Sequence, residues 1–478
     1  MTLPHEVCYR ALRARDARFD GRFFTAVRTT GIYCRPICPA RTPRADNVVF
    51  YPSAAAAQEA GYRPCLRCRP ECSPQGGAWR GSEATVARAL TLIEAGALDE
   101  GSVEGLAERL GLGDRQLRRL FHQHLGATPV AVAQARRIHL AKRLLHETEL
   151  PITAVALAAG FGSVRRFNEA FSAMFGRPPS ALRQGRGSGQ DPDVALTLAY
   201  RPPLDLQSLL QFLGARAIPG VEVVSAGGYA RTFQLKGAVG RLEVRPVPGA
   251  DQLRARIVTP KVTAIGPALA RVRHLFDLDA EPEAIAEHLG LDPVLGARVR
   301  AHPGLRVPGA WDGFELGVRA ILGQQISVRA ATELAGRLVQ AFGAAVEAPA
   351  PGLTHLFPTP ERLAEADVAS LGMPRARGAA VRALATAAAA DPHLFDPHGA
   401  VERLRKIPGI GDWTAQYIAM RAARDADAFP ASDVGLQRAL QSERGRPTAR
   451  ELSAKAEAWR PWRAYAALHL WAADQENS

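Results

Sequence analysis

The stretch Leu404-Arg-Lys-Ile-Pro-Gly-Ile-Gly-Asp-Trp-Thr-Ala415, followed further on by Asp433, decides how this chain is read. Pro408-Gly-Ile-Gly411 places two glycines, Gly409 and Gly411, where backbone must pass close to something. A tight hairpin that feeds straight into a helix presents its amides at the helix N-terminus, and amides so placed hold an anion such as a phosphate. Asp433 then brings a carboxylate to the neighbourhood of that anion site.

Outward from this segment, the bulk numbers set limits. A chain of 478 residues has room for three or four domains, and 47% hydrophobic residues suffice to build their cores. The formal charge of +13 suits a polyanionic partner, because lysines and arginines release counterions from nucleic acid. A basic surface without any partner would show the same excess. The N-terminus, Met1-Thr-Leu-Pro-His-Glu6, has no apolar run of signal-sequence type. Nowhere do about 20 apolar residues follow one another, and the run Ala385-Thr-Ala-Ala-Ala-Ala390 is too short to span a bilayer. A cytoplasmic protein with no membrane partner is expected. In that reducing compartment the six cysteines, all within the first 72 residues, point to a metal rather than to disulfides.

Composition shifts divide the chain into four segments. Residues 1–75 hold every cysteine and end in Cys72-Ser-Pro-Gln-Gly-Gly. Residues 80–184 are arginine-rich with helical periodicity and lead into the linker Gln184-Gly-Arg-Gly-Ser-Gly-Gln-Asp-Pro192. Residues 193–300 mix strand-like runs, such as Val221-Glu-Val-Val224 and Gly240-Arg-Leu-Glu-Val-Arg245, with glycine turns. Residues 301–478 are mostly helical in pattern.

Cys34-x3-Cys38 and Cys65-x2-Cys68 are two short-loop pairs, the ligand arrangement of a tetrahedral zinc thiolate site. Spacing alone allows a purely structural zinc knuckle. The surrounding sequence, Phe23-Phe-Thr-Ala-Val-Arg-Thr-Thr-Gly-Ile-Tyr-Cys-Arg-Pro-Ile-Cys38 and Gly61-Tyr-Arg-Pro-Cys-Leu-Arg-Cys-Arg-Pro70, resembles the zinc domain of the Ada family of adaptive-response regulators. That resemblance implies irreversible, stoichiometric transfer of a methyl group from DNA methyl phosphotriesters to Cys34, with Cys38, Cys65 and Cys68 completing the shell of one zinc ion. Four thiolates on a divalent cation carry a net charge of about −2, so methylating one of them lessens repulsion from phosphates and should raise DNA affinity. Arg28, Arg35, Arg63 and Arg67 are candidates for backbone contact. Cys8 and Cys72 fall outside the pattern and read as ordinary thiols.

In the second segment Leu117, Phe121, Gly126 and Pro129 recur fifty residues later as Phe167, Phe171, Gly176 and Pro179. Each set follows a short amphipathic helix and a glycine turn; Ile152, Val155, Ala156 and Ala159 keep helical spacing. Two helix-turn-helix units are expected. Their recognition helices begin near Gly113, offering Arg115, Gln116 and Arg118, and near Ser163, offering Arg165, Arg166 and Asn168. These are side chains suited to guanine and adenine edges. The tandem resembles the AraC-type DNA-binding domain, with a joining helix over residues 136–145. An activator of that type implies promoter DNA and RNA polymerase as partners.

The hairpin, with Phe429-Pro-Ala-Ser-Asp-Val-Gly-Leu436, resembles the helix-hairpin-helix superfamily of DNA glycosylases. The match is with the AlkA-type 3-methyladenine branch, over residues 193–478, and includes Phe314-Glu-Leu-Gly-Val-Arg-Ala-Ile-Leu-Gly-Gln-Gln-Ile-Ser327 and Trp459-Arg-Pro-Trp-Arg-Ala-Tyr-Ala-Ala-Leu-His-Leu-Trp471. The resemblance assigns catalysis to Asp433 and the base pocket to Gln324, Trp413, Tyr417 and Trp471. The implied substrates are 3-methyladenine and 7-methylguanine in duplex DNA. Lyase members of the superfamily carry a lysine where Trp413 stands, so a monofunctional hydrolase is expected. With no cysteine after Cys72, no iron–sulfur cluster is expected. Gln325 stands where an apolar wedge occurs in the family, Val434 replaces an aromatic neighbour of the acid, and Ser432 replaces a second acid. No Pro-Cys-His-Arg segment marks an O6-alkylguanine methyltransferase.

The expected architecture is therefore multidomain α+β. It comprises a small zinc domain, an all-α AraC-type double helix-turn-helix, a mixed α/β AlkA N-terminal domain and an all-α helix-hairpin-helix glycosylase domain, in a monomer. Two other readings remain: a regulator whose C-terminal half only binds DNA, and a zinc-dependent thiol redox sensor.

Overall fold

The computed structural model describes residues 3–70, 73, 82–183, 193–225, 227–443 and 445–476. Cys72 and the expected linker 184–192 lie outside them. The chain divides into two compact units, 1–201 with 235–240 and 246–270, and 202–234 with 241–245 and 271–478. Among the described residues no helix is long and apolar enough to cross a membrane.

In the first unit, strands β1 (Phe24–Val27), β2 (Ile32–Cys34), β3 (Val48–Tyr51) and β4 (Arg63–Pro64) form a sheet of order β3-β1-β2-β4. The β1–β2 turn passes through Gly31, whose φ of 65° is the left-handed region glycine enters freely. β1 pairs antiparallel with β2, with Thr25 opposite Cys34, whereas β2 and β4 run parallel, with Tyr33 opposite Pro64. Parallel strands leave the sheet at the same end. Cys34 closes β2 and Cys65 follows β4, so the two cysteine pairs meet at one edge.

Behind them lie the two helix-turn-helix units. The first pairs Val103–Arg109 with the recognition helix Asp114–Leu125; the second pairs Ile152–Ala158 with Val164–Phe175. Both recognition helices end on a left-handed glycine, Gly126 (φ 64°) and Gly176 (φ 67°), and each is followed by a helix with proline in its first turn, Pro129 or Pro179. Leu117, Phe121, Phe167 and Phe171 are fully buried, which accounts for the fifty-residue repeat as core. The helix joining the two units is longer than expected, Pro129–Glu147, because the Thr128 hydroxyl accepts from Ala131 N at 3.1 Å and starts it a turn and more earlier. β5 (Asp193–Ala199) pairs antiparallel with the strand Gln252–Val258.

The second unit includes the antiparallel pair β6 (Glu222–Ser225) and β7 (Gly228–Leu235), and a helical body. One core gathers Val318, Ile321, Leu338, Val381, Leu384, Leu404 and Ile418; another gathers Leu289, Leu436, Trp459 and Leu470. Among the described residues the helical half includes a small hairpin of the strands Ala345–Ala350 and Leu353–His355, where Pro349, Pro351 and Gly352 (φ 75°) deny a helix. Buried Arg231 bonds Glu315 at 2.7 Å, and Arg319 bonds the same carboxylate at 2.6 Å. Burial alone would raise the Glu315 pKa, but the two guanidiniums outweigh it and hold it at about 2.

Candidate functional site

At the edge of the first sheet the sulfurs of Cys34, Cys38, Cys65 and Cys68 lie within 4.8 Å of one another, and Cys38 and Cys65 stand 4.0 Å apart. Zinc–sulfur bonds of about 2.3 Å in a tetrahedron put sulfurs about 3.8 Å apart, so the cage fits zinc. Hydrogen bonding to Cys38, Cys65 and Cys68, and burial, push the Cys34 thiol well above its ordinary pKa when the four sulfurs share the cage without a cation. A divalent ion lets all four be thiolates together. Cys38, Cys65 and Cys68 are buried, each 7% exposed or less; Cys34 is partly open. Arg35 N donates to the Cys68 sulfur at 3.3 Å, which draws charge from that thiolate. Outside the cage, burial pushes the Cys8 thiol up to about 11, and it remains an inert thiol.

The arginines around the cage divide. Arg28, Arg63 and Arg67 are exposed. Arg35 is not free for a backbone: its guanidinium pairs with buried Asp20 and donates to Cys68 O at 3.2 Å. The joining helix Pro129–Glu147 grips the zinc sheet along one side. The Tyr33 hydroxyl lies 2.9 Å from His139 Nε2 and accepts from Gln58 at 2.8 Å; fully buried Lys142 donates to Cys65 O at 3.4 Å; Glu147 pairs with Arg69 at 2.8 Å. Ser53 Oγ also donates to Leu125 O at 2.8 Å, at the end of the first recognition helix.

At the other ends of the recognition helices, Arg115, Gln116, Arg165, Arg166 and Asn168 are exposed. Arg118 is half-buried and pairs with Glu104 at 3.4 Å and with Asp114 at 3.7 Å; Arg165 pairs with Glu169 at 2.9 Å. These are surface pairs that a phosphate or base edge can replace at little cost.

In the second unit the hairpin joins the helices Ala400–Arg405 and Asp412–Arg421. Gly409 has φ 85°, and a Cβ there would stand 2.3 Å from that of Ala380. Gly411 caps the second helix, and a Cβ on it would meet nothing within 4 Å. One glycine is demanded by conformation and packing; the other leaves open space beside a helix N-terminus. Gln324 supports the turn, donating to Gly409 O at 3.1 Å and to Thr414 Oγ1 at 3.2 Å. Gly323 and Ile326, its neighbours, line the adjoining cavity. Gln325 is exposed with φ 59°, held in a left-handed conformation unusual for a residue with a side chain.

That cavity measures about 850 Å³, and Trp413, Tyr417, Asp433 and Trp471 are among its lining. Asp433 caps the helix Val434–Ala439 through Leu436 N, 2.9 Å from Oδ1. Its carboxylate also accepts from two indoles, Trp413 at Oδ2 and Trp471 at Oδ1, both at 2.8 Å. Trp413 and Tyr417, one helical turn apart, stack with centroids 5.1 Å apart and planes at 9°; Trp471 meets Tyr417 edge-on. Trp413, Tyr417, Trp471 and Asp433 thus come together in that lining, whereas Gln324, assigned to the base pocket by resemblance, is not among the lining residues and bonds the hairpin instead. Two cations in the lining had no sequence signal. Arg421 donates to the Tyr417 hydroxyl at 2.6 Å, and both it and Arg216 lie over the Phe212 ring. Burial alone would raise the Tyr417 pKa, but Arg421 and Arg216 outweigh it and pull it below its ordinary value.

Family models match in chain order: the metal binding domain of Ada over residues 7–71, a helix-turn-helix domain over 106–185, the AlkA N-terminal domain over 195–312, and the HhH-GPD superfamily base excision DNA repair protein over 318–464. A protein of Mycobacterium tuberculosis (strain ATCC 25618 / H37Rv) named probable bifunctional transcriptional activator/DNA repair enzyme AlkA is 45% identical over 478 residues, covering 98% of this chain and 96% of that relative. The chain belongs to this bifunctional AlkA family. Its two halves also match separate proteins. The AlkA-like half is 37% identical to the Escherichia coli (strain K12) DNA-3-methyladenine glycosylase 2, over 58% of this chain and 96% of that protein. The front is 35% identical to the Escherichia coli (strain K12) bifunctional transcriptional activator/DNA repair enzyme Ada, over 37% of this chain and 48% of that protein. A solved 3-methyladenine DNA-glycosylase from Archaeoglobus fulgidus shares the fold at a TM-score of 0.52 and 22% identity, covering 59% of this chain and 99% of that one.

Proposed function

We propose that this AlkA-family chain excises N-alkylated purines, 3-methyladenine and 7-methylguanine, from duplex DNA, and that its front half senses alkylation and regulates transcription. The observation that carries the first part is the Asp433 carboxylate, fixed by two indole donors in an aromatic cavity whose wall residue Trp413 follows the glycine hairpin. The target nucleotide leaves the stack and enters the cavity while Gly411 and the helix N-terminus hold the backbone. The faces of Trp413 and Tyr417 and the edge-on Trp471 favour a cationic ring. As the glycosidic C–N bond breaks, its electron pair goes to the base and the sugar becomes an oxocarbenium-like cation. Asp433 stabilises that charge and accepts a proton from the attacking water, leaving an abasic site. Trp413 offers no amine for a Schiff base, which supports a monofunctional hydrolase. Gln324 acts by holding the hairpin turn against the cavity.

In the front half, zinc bound by Cys34, Cys38, Cys65 and Cys68 would keep the sulfurs deprotonated and nucleophilic at neutral pH. Cys34 is the least buried of the four. Its sulfur attacks the methyl carbon of a phosphotriester; the C–O bond breaks with its electrons going to the phosphate oxygen, leaving a diester and a thioether. The charge lost from the cage strengthens binding of Arg115, Gln116, Arg118, Arg165, Arg166 and Asn168 to promoter DNA. Such an activator would act as a monomer and contact RNA polymerase. The test is release of 7-methylguanine from alkylated duplex by the full chain and by Asp433→Asn. The reading expects release by the first alone; equal abasic-site yield from both would overturn it.

A further inference from the structure

Asp433 is not the sole carboxylate in the cavity lining. Asp474 also lines it, one turn after Trp471 on the helix Arg463–Glu476. It is engaged by Arg438, five residues after Asp433, in a two-point ion pair: Nε to Oδ1 at 3.0 Å and Nη2 to Oδ2 at 2.6 Å. Gly435 separates the acids. A methyl group built on it would stand 3.1 Å from Asp433 Oδ1, 3.1 Å from Asp474 Oδ2 and 3.3 Å from Trp471 Cδ1. The two carboxylate oxygens therefore lie within twice that distance, 6.2 Å, of each other.

This arrangement has a mechanical and an electrical side. Asp433 is the N-cap of the helix that carries Arg438, and its Oδ1 is held by Trp471 of the helix that carries Asp474. The ion pair bridges the same two helices at the other end of the short one. It fixes their separation, and so fixes where Trp471 meets Asp433. An exposed pair adds little stability, but a shift of the carboxylate by an ångström is costly to a reaction that depends on its placement. The Arg438 charge also offsets that of Asp474, which would otherwise repel Asp433 across the open face of Gly435.

We propose that Arg438 and Asp474 are positioning residues for base excision: their ion pair clamps the Asp433 helix to the Trp471 helix and keeps the second carboxylate from displacing the first. This rests on the glycosylase reading above.

The test compares the full chain with Arg438→Gln, Asp474→Asn and the exchanged pair Arg438→Asp/Asp474→Arg. Single-turnover release of 7-methylguanine is measured beside binding to duplex carrying a tetrahydrofuran abasic analogue. Each single variant should slow release by roughly tenfold to a hundredfold while binding the abasic duplex as the parent does, and the exchanged pair should regain most of the rate. Single variants as fast as the parent, or an exchange no better than the slower single, would overturn the proposal. Loss confined to abasic-duplex binding would also overturn it, making Arg438 a phosphate contact. Indole 15N–1H signals of Trp413 and Trp471 give a readout independent of activity. If the parent itself releases no base, the glycosylase reading falls; the clamp then stands only if these signals move in both single variants and return in the exchange, and falls if they do not.

Discussion

The indole nitrogen of Trp413 lies 2.8 Å from Oδ2 of Asp433, which makes the aromatic wall of the cavity and its carboxylate one hydrogen-bonded unit. Trp413→Phe keeps a ring to stack on Tyr417 and removes the donor. The excision rate should drop about tenfold to a hundredfold, with abasic-duplex affinity retained, in single-turnover assays on 7-methylguanine.

The two hairpin glycines should fail differently. Gly409→Ala forces a side chain into a left-handed backbone and against Ala380, so the protein should lose about 2 kcal/mol or more of stability in urea titration. Gly411→Ala meets open space. It should fold like the parent and lose affinity for abasic duplex, because its methyl group occupies the approach of the phosphate.

Acid should destabilise the second unit before it touches the carboxylates. Burial lowers His274 to about 3 and His469 to about 4. Folded protein thus refuses protons that the unfolded chain accepts below about 6.5. Stability is complete above that pH and falls as pH drops, by about 1.4 kcal/mol per pH unit per histidine, until each folded group titrates. Below about 4.5 the ion-paired Glu315, held at about 2, adds a second loss in the same direction. Urea midpoints at pH 7.5, 6 and 5 check the first window, and His274→Gln should roughly halve its slope, leaving the share of His469.

Removing the metal should separate structure from acceptor chemistry. Cys38→Ala takes away a buried ligand, and the chain should lose zinc by atomic absorption together with methyl uptake. Cys34→Ala leaves three buried sulfurs and should keep much of the zinc, while mass spectrometry after incubation with methyl-phosphotriester duplex shows no methyl gain.

What the sequence disclosed depended on whether a residue's chemistry is local. Two cysteine pairs and the duplicated Gly126 and Gly176 are visible in spacing, whereas a role for Asp433 beyond the glycine hairpin comes only with the family resemblance. The role of Arg35 shows in neither: its partner Asp20 is set by sheet geometry, and the side chain turned inward. Phe212 and Arg216 reach the cavity from two hundred residues before Tyr417, a convergence no periodicity reveals. Trp413 and Trp471 were expected as walls for the base, yet each spends its N–H on the acid. The joining helix starts at the cap pair Thr128-Pro129, ahead of the residues 136–145 whose pattern suggests it.

Tyr33, one residue before Cys34, shares its hydroxyl with His139 and Gln58 in the interior, and Ser53 holds the last carbonyl turn of the first recognition helix. A promoter-reading fragment cut free after residue 80 would bare the side of Pro129–Glu147 that carries His139 and Lys142, and would be prone to aggregate. Front-end truncations that silence transcription therefore report a damaged reader as readily as a missing sensor, and point substitutions at Cys34 are the cleaner instrument.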